Sequence, residues 1–143
     1  MKVKQISIFL ENKSGRLAQV TRVLGNNGIN IRALSIADTT DFGILRLIVS
    51  NPEQAYQVLK DTGFTVSATD VIAVEVADKP GGLADTLQLL EAAGINIEYL
   101  YAFVQKTANA AVVVFRVEQV DEAVRVLQEK GTRILSEDEV YTL

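Results

Sequence analysis

The chain contains no cysteine, no histidine and no tryptophan, and only two prolines in 143 residues. Disulfides, thiol nucleophiles, Ser-His or Cys-His pairs, and zinc or haem sites built on those ligands are therefore excluded. Long hydrophobic runs are also missing. The longest, Ala110 to Phe115, falls far below the roughly 20 residues that span a bilayer. Positive charge is not concentrated either: fourteen Lys and Arg stand against eighteen Asp and Glu, and no two basic residues are adjacent. That balance lacks the footprint of a nucleic-acid binder. The acidic cluster Glu137, Asp138, Glu139 is not set in a D-x-D-x-D-G loop and reads as a solvated tail rather than a metal site. No metal and no cofactor is expected. The start carries Lys2 and Lys4 with only a short alternating stretch before Glu11, the pattern of a strand rather than a signal peptide, so a cytoplasmic location is expected.

What remains is an ordinary globular composition, 48% hydrophobic and 22% charged, with a duplication written into it. A shift of 66 positions lays Ser14–Leu34 over Pro80–Leu100 with nine identities in 21, including the block Gly28-Ile29-Asn30-Ile31 over Gly94-Ile95-Asn96-Ile97. After a two-residue slip, Ala55, Leu59 and Gly63 fall over Ala123, Leu127 and Gly131. Each half opens on a period-2 strand, Ile6, Ile8, Leu10 or Ile72, Val74, Val76. A helix follows with the stripe Leu17, Val20, Leu24 or Leu83, Leu87, Leu90. Gly28 and Gly94 stand where an αL residue ends a helix.

A hairpin comes next, strands 29–36 and 44–49 or 95–103 and 111–117, with turn material at Asp41 and Gly43 or at Lys106 and Asn109. Second helices are predicted over 52–61 and 120–130, and short fourth strands from Thr65 and Arg133. The order is βαββαβ twice, an α+β chain of two ferredoxin-like units, 1–70 and 71–143, with antiparallel sheets side by side and helices on one face. Residues 65–76 contain no Gly or Pro, so the fourth strand of the first unit is expected to run directly into the first strand of the second. The tail Val140, Tyr141, Leu143 reads as a last strand capping an edge.

Two loops recur and carry the candidate chemistry. Glu11-Asn12-Lys13-Ser14-Gly15-Arg16-Leu17 and Ala77-Asp78-Lys79-Pro80-Gly81-Gly82-Leu83 each put Gly at a helix start, where free N–H groups and the helix dipole favour a carboxylate. Asn12 and Asp78 precede the turn; a side-chain oxygen there either receives an ammonium group or simply stabilises the turn. Asn30 and Asn96, between core isoleucines, present an amide on the opposite face, again for a ligand or for the turn. Pro80 and Asp78 make the second loop the stiffer and more anionic, and the stronger candidate. Tyr99, Tyr101 and Phe103 share one strand face and read as core or interface more readily than as a pocket lining.

Taken together, Asp78-Lys79-Pro80-Gly81-Gly82-Leu83, a helix, and Gly94-Ile95-Asn96-Ile97 in a βαββαβ unit resemble the ACT domain, a small module that binds amino acids, usually as a feedback sensor of biosynthetic enzymes. The resemblance covers nearly the whole chain as two copies. It implies an effector held between paired domains by Asn12, Gly15, Leu17 and Asn30 in the first copy, and by Asp78, Gly81, Leu83 and Asn96 in the second. The first copy departs from the motif at Ser14 and Arg16. The expected function is non-enzymatic binding of a free amino acid, with a homodimer as a further possibility. The alternatives are a regulatory subunit that docks on a biosynthetic enzyme, and a small enzyme on a ferredoxin-like scaffold, which the lack of His, Cys and paired loop carboxylates disfavours.

Overall fold

The computed structural model describes residues 1–103 and 110–143. The chain divides into two compact units, Lys4–Thr69 and Asp70–Leu143, the latter including Met1–Val3. The first unit runs β1 (Val3–Glu11), α1 (Arg16–Asn26), β2 (Ile31–Asp38), β3 (Phe42–Val49), α2 (Pro52–Asp61) and the start of β4 (Thr65–Ala77). Its strands lie in the order β2-β3-β1-β4. The second unit takes the rest of β4, then α3 (Gly82–Ala92), β5 (Ile97–Ala102), β6 (Ala110–Val117) and α4 (Val120–Glu129), with the order β4-β6-β5. The fold is thus α+β, two ferredoxin-like units, with β4 the uninterrupted strand that residues 65–76 lead one to expect. The turn expected at Lys106 and Asn109 lies outside the described residues.

Period-2 alternation becomes two cores through register. In the first unit Ile6 opposes Leu47 and Ile8 opposes Leu45, and this face packs with Val20 and Leu24 of α1 and Ala55 and Leu59 of α2. In the second, Ile72 opposes Phe115 and Val74 opposes Val113, packed with Leu90 of α3 and Ala123, Val126 and Leu127 of α4. Leu17 and Leu83, expected at the head of the helical stripes, are instead exposed; the buried residues are Val20 and Leu24 on α1 and Gly82, Thr86 and Leu90 on α3. Tyr101 and Phe103 are buried and Tyr99 is half-buried.

The C-terminus departs from expectation. No fourth strand forms from Arg133; a single antiparallel bridge, Val74 with Ile134, takes its place, framed by Glu75 N–H to the Arg133 carbonyl at 3.0 Å and Leu135 N–H to the Ala73 carbonyl at 2.9 Å. Nor is 140–143 a strand: Glu137–Tyr141 is a short helix, α5, with Val140 buried. The cause is a capping box. Ser136 Oγ accepts from Glu139 N–H at 3.2 Å while the Glu139 carboxylate accepts from Ser136 N–H at 3.2 Å, satisfying orphan donors at both ends of the first turn. The acidic cluster is therefore a helix start, with Glu139 also paired to Arg133.

Ser136→Ala is expected to cost about 1 kcal/mol, read from urea unfolding at pH 7. The hydrogen bond from the Ser136 backbone holds the Glu139 carboxyl below its ordinary 4.5, with the Ser136 hydroxyl and Arg133 acting in the same direction. The contribution of Glu139 is then complete above pH 4.5 and is lost as the pH falls through the lowered value. Amide exchange in α5 should accelerate over that acid range in the wild-type chain.

Candidate functional site

Each copy builds the same loop at the end of its first strand. Gly15 and Gly81 sit at the N-cap with φ of 89° and 85°, a left-handed backbone that glycine adopts without the Cβ penalty. Lys13 N–H donates to the Glu11 carbonyl at 2.8 Å and Lys79 N–H to the Ala77 carbonyl at 2.9 Å, so the turn is written twice in the same bonds. Glycine brings no capping side chain. Among the described residues, the N–H groups of Leu17 and Ala18, and of Leu83 and Ala84, have no backbone or side-chain acceptor. Two adjacent free donors at the positive end of a helix are suited to a carboxylate.

The other predicted residues are divided between two places. Asn12 closes the loop against the β2–β3 turn, its N–H on the Asp41 carbonyl at 2.9 Å and its Nδ2 on the Thr40 carbonyl at 3.2 Å. Asp78 is exposed at the equivalent position. Asn30 and Asn96 lie beyond the far end of the first helix of their units, and that helix, 11 residues long, puts about 16 Å along its axis between them and the glycine loop at 1.5 Å per residue. Within a single unit the two loops do not meet. Asn30 is fixed by its backbone, its N–H on Ser50 Oγ at 3.0 Å and its carbonyl accepting from Ser50 N–H at 2.9 Å. Asn96 differs in that its Nδ2 donates to Glu118 Oε1 at 3.2 Å.

A cavity of about 170 Å³ opens at the first loop. Asn12 and Leu17 line it, together with Leu10, Glu11, Lys13, Arg16, Ile36, Asp38, Gly43 and Leu45. Only the first two were legible as site residues. Ile36, Asp38, Gly43 and Leu45 arrive through pairing, since Leu10 and Asp38 both oppose Gly43 and Leu45 opposes Ile36. The rim carries both charges. Glu11 bonds Lys13 Nζ at 2.8 Å and stands 3.8 Å from Arg16, and the Lys13 hydrogen bond and charge hold the Glu11 carboxyl below its ordinary value. Arg16 also donates to Gln19 Oε1 at 3.3 Å.

On the far side of the same loop a groove of about 410 Å³ runs between Phe9, Phe42, Arg16, Gln19 and residues 62–65. The second unit repeats it, about 640 Å³ along Glu75, Lys79, Asp85 and residues 131–133. Among the described residues no group of three or more acidic side chains is placed to hold a metal ion, and no helix is long and apolar enough to cross a membrane.

The family model described as an ACT domain pair matches residues 1–143. A protein of known crystal structure from Bacteroides thetaiotaomicron is 49% identical over 100% of this chain and 98% of its own, with a TM-score of 0.94. The ligand-free regulatory subunit of aspartate kinase from Thermus thermophilus shares the fold at 18% identity, covering 88% of this chain and 91% of that one, with a TM-score of 0.64. The corresponding subunit from Thermus flavus does so at 18% identity, 88% and 90% coverage, and a TM-score of 0.62. None of the curated proteins matches.

Proposed function

Because this chain belongs to the family of ACT domain pairs, which are regulatory modules, we propose that it is a cytoplasmic sensor that binds a free amino acid reversibly and catalyses no reaction. The observation that carries this reading is the duplicated glycine-capped helix start, whose free N–H pairs at Leu17 and Ala18, and at Leu83 and Ala84, suit a carboxylate. Asn12 Oδ1 and the Asp38 carboxylate supply acceptors for the ammonium group beside the first loop. The first loop is favoured over the second. The cavity of about 170 Å³ lies beside the first, and the carboxamide of Asn30 makes no hydrogen bond among the described residues, whereas that of Asn96 is engaged with Glu118.

Asn30 lies beyond the far end of α1, too distant to reach a ligand in the cavity of its own unit, so its part in binding calls for a facing unit from a second chain. Support for such a homodimer comes from the edges. β2 and β5 end their strand orders, and the equivalent leucines Leu34 and Leu100 on them are exposed, as are Leu17 and Leu83. Docking on a biosynthetic enzyme is a second reading. It is favoured by the exposed Phe9, Phe42 and Ile44, which share the helix-free face of the first unit with Phe9 and Phe42 stacked at 4.9 Å.

A thermal-shift screen of the twenty amino acids tests the sensor. An effector at 100 times its dissociation constant stabilises by about 2.7 kcal/mol, or about 9 °C for this length. Flat melting curves across the panel, with no heat in calorimetry, would leave docking as the function.

A further inference from the structure

We infer that the amino acid taken by the first loop has a branched aliphatic side chain, valine, leucine or isoleucine. This rests on the amino-acid-binding reading above and is carried by the cavity of about 170 Å³. Its floor is made of Leu10 and Leu45, both buried; its walls are Leu17 and Ile36, which remain 39% and 49% exposed. A closed floor with half-open aliphatic walls gains from an apolar guest, because the guest removes the exposed wall surface from water.

Size narrows the guest. An apolar cavity of about 150 Å³ admits benzene, six carbon atoms, and sites for drug-sized ligands begin near 300 Å³. The present cavity therefore takes a side chain of three or four carbons together with part of the amino-acid head. An aromatic side chain leaves no room for its own head group, and a single methyl leaves most of the floor uncovered. Polarity excludes the others. No hydroxyl, amide or charge comes from the floor, so a threonine hydroxyl or a buried carboxylate or ammonium entering it finds no partner. The charged groups sit at the mouth, with Arg16 and Asp38 offering one cation and one anion to a zwitterion.

Gly43 sets the depth. A Cβ added there would lie 3.5 Å from Asp38 Cβ and 3.6 Å from Ile36 Cγ2, ordinary contacts that the strand accommodates, inside the space the ligand needs.

Calorimetric titration of the full chain with valine, leucine, isoleucine, threonine, phenylalanine, aspartate and lysine tests this. The tightest ligand should be one of the first three, with valine binding about 100-fold more tightly than isosteric threonine. Gly43→Ala should weaken leucine about tenfold more than valine, and Ile36→Ala, an exposed site, should weaken all three about tenfold. Tightest binding of threonine, phenylalanine, aspartate or lysine overturns the inference while the sensor stands. Silence from every amino acid overturns both. Unchanged selectivity in a folded Gly43→Ala chain, together with unchanged affinity in Ile36→Ala, overturns the placement of the side chain in this cavity.

Discussion

Gly82→Ala should destabilise the chain by about 3 kcal/mol, although it adds only one methyl group and replaces glycine by the residue that helices favour most. A Cβ on Gly82 would overlap the Ala77 carbonyl oxygen and lie 2.9 Å from the Ala77 carbonyl carbon and 3.3 Å from its Cβ. These are atoms at the end of β4, not the tip of a flexible side chain, so α3 must move off the strand. The duplication supplies the control. Arg16 holds the equivalent place in the first copy with a side chain present, and its N–H reaches the Lys13 carbonyl at 3.3 Å where Gly82 reaches Lys79 at 3.0 Å. Arg16→Ala should stay within about 0.5 kcal/mol of wild type. Urea unfolding followed by circular dichroism separates the two. Equal, small losses would show that the second loop is not closed by contact with Ala77.

The largest loss is expected from Phe115→Ala, about 3–5 kcal/mol. Phe115 is fully buried, opposes Ile72 and Leu100 across its strand, and is surrounded by the helix residues Leu90, Ala123 and Leu127. Its counterpart in the first unit, opposite Ile6, is Leu47. Leu47→Ala removes fewer atoms from the same architectural position and should cost about 2–5 kcal/mol, towards the lower end. The test is the midpoint and slope of denaturant unfolding for both variants. A Phe115→Ala loss below about 1 kcal/mol would mean that the second core closes over the space, contrary to the packing described.

Local signals were readable where the physics is local. Gly28 and Gly94 end their helices at positive φ as expected, and Gly63 and Gly131 do the same, because only the backbone at that residue decides it. The helix α2 begins at Pro52 and ends at Asp61 as its flanking residues indicate. The C-terminal helix was equally local: Ser136 and Glu139 form a capping box in plain sight, but the β-branched and aromatic Val140 and Tyr141 pointed to a strand. Propensity lost there to two hydrogen bonds at the helix start.

By itself, then, the sequence determined the duplication, the βαββαβ order, the ACT resemblance and the two glycine-capped helix starts, since each rests on spacing along the chain. Tertiary structure decided which of the singled-out residues share a site. It set Asn30 a helix length from Gly15, tied Asn12 to Thr40 and Asn96 to Glu118, and drew Ile36, Asp38 and Gly43 to the cavity beside Leu17. No periodicity announces that grouping, because it depends on strand register: a slip of one residue between β2 and β3 would turn Ile36 and Asp38 to the opposite face and leave the cavity without its Ile36 wall and the carboxylate at its mouth.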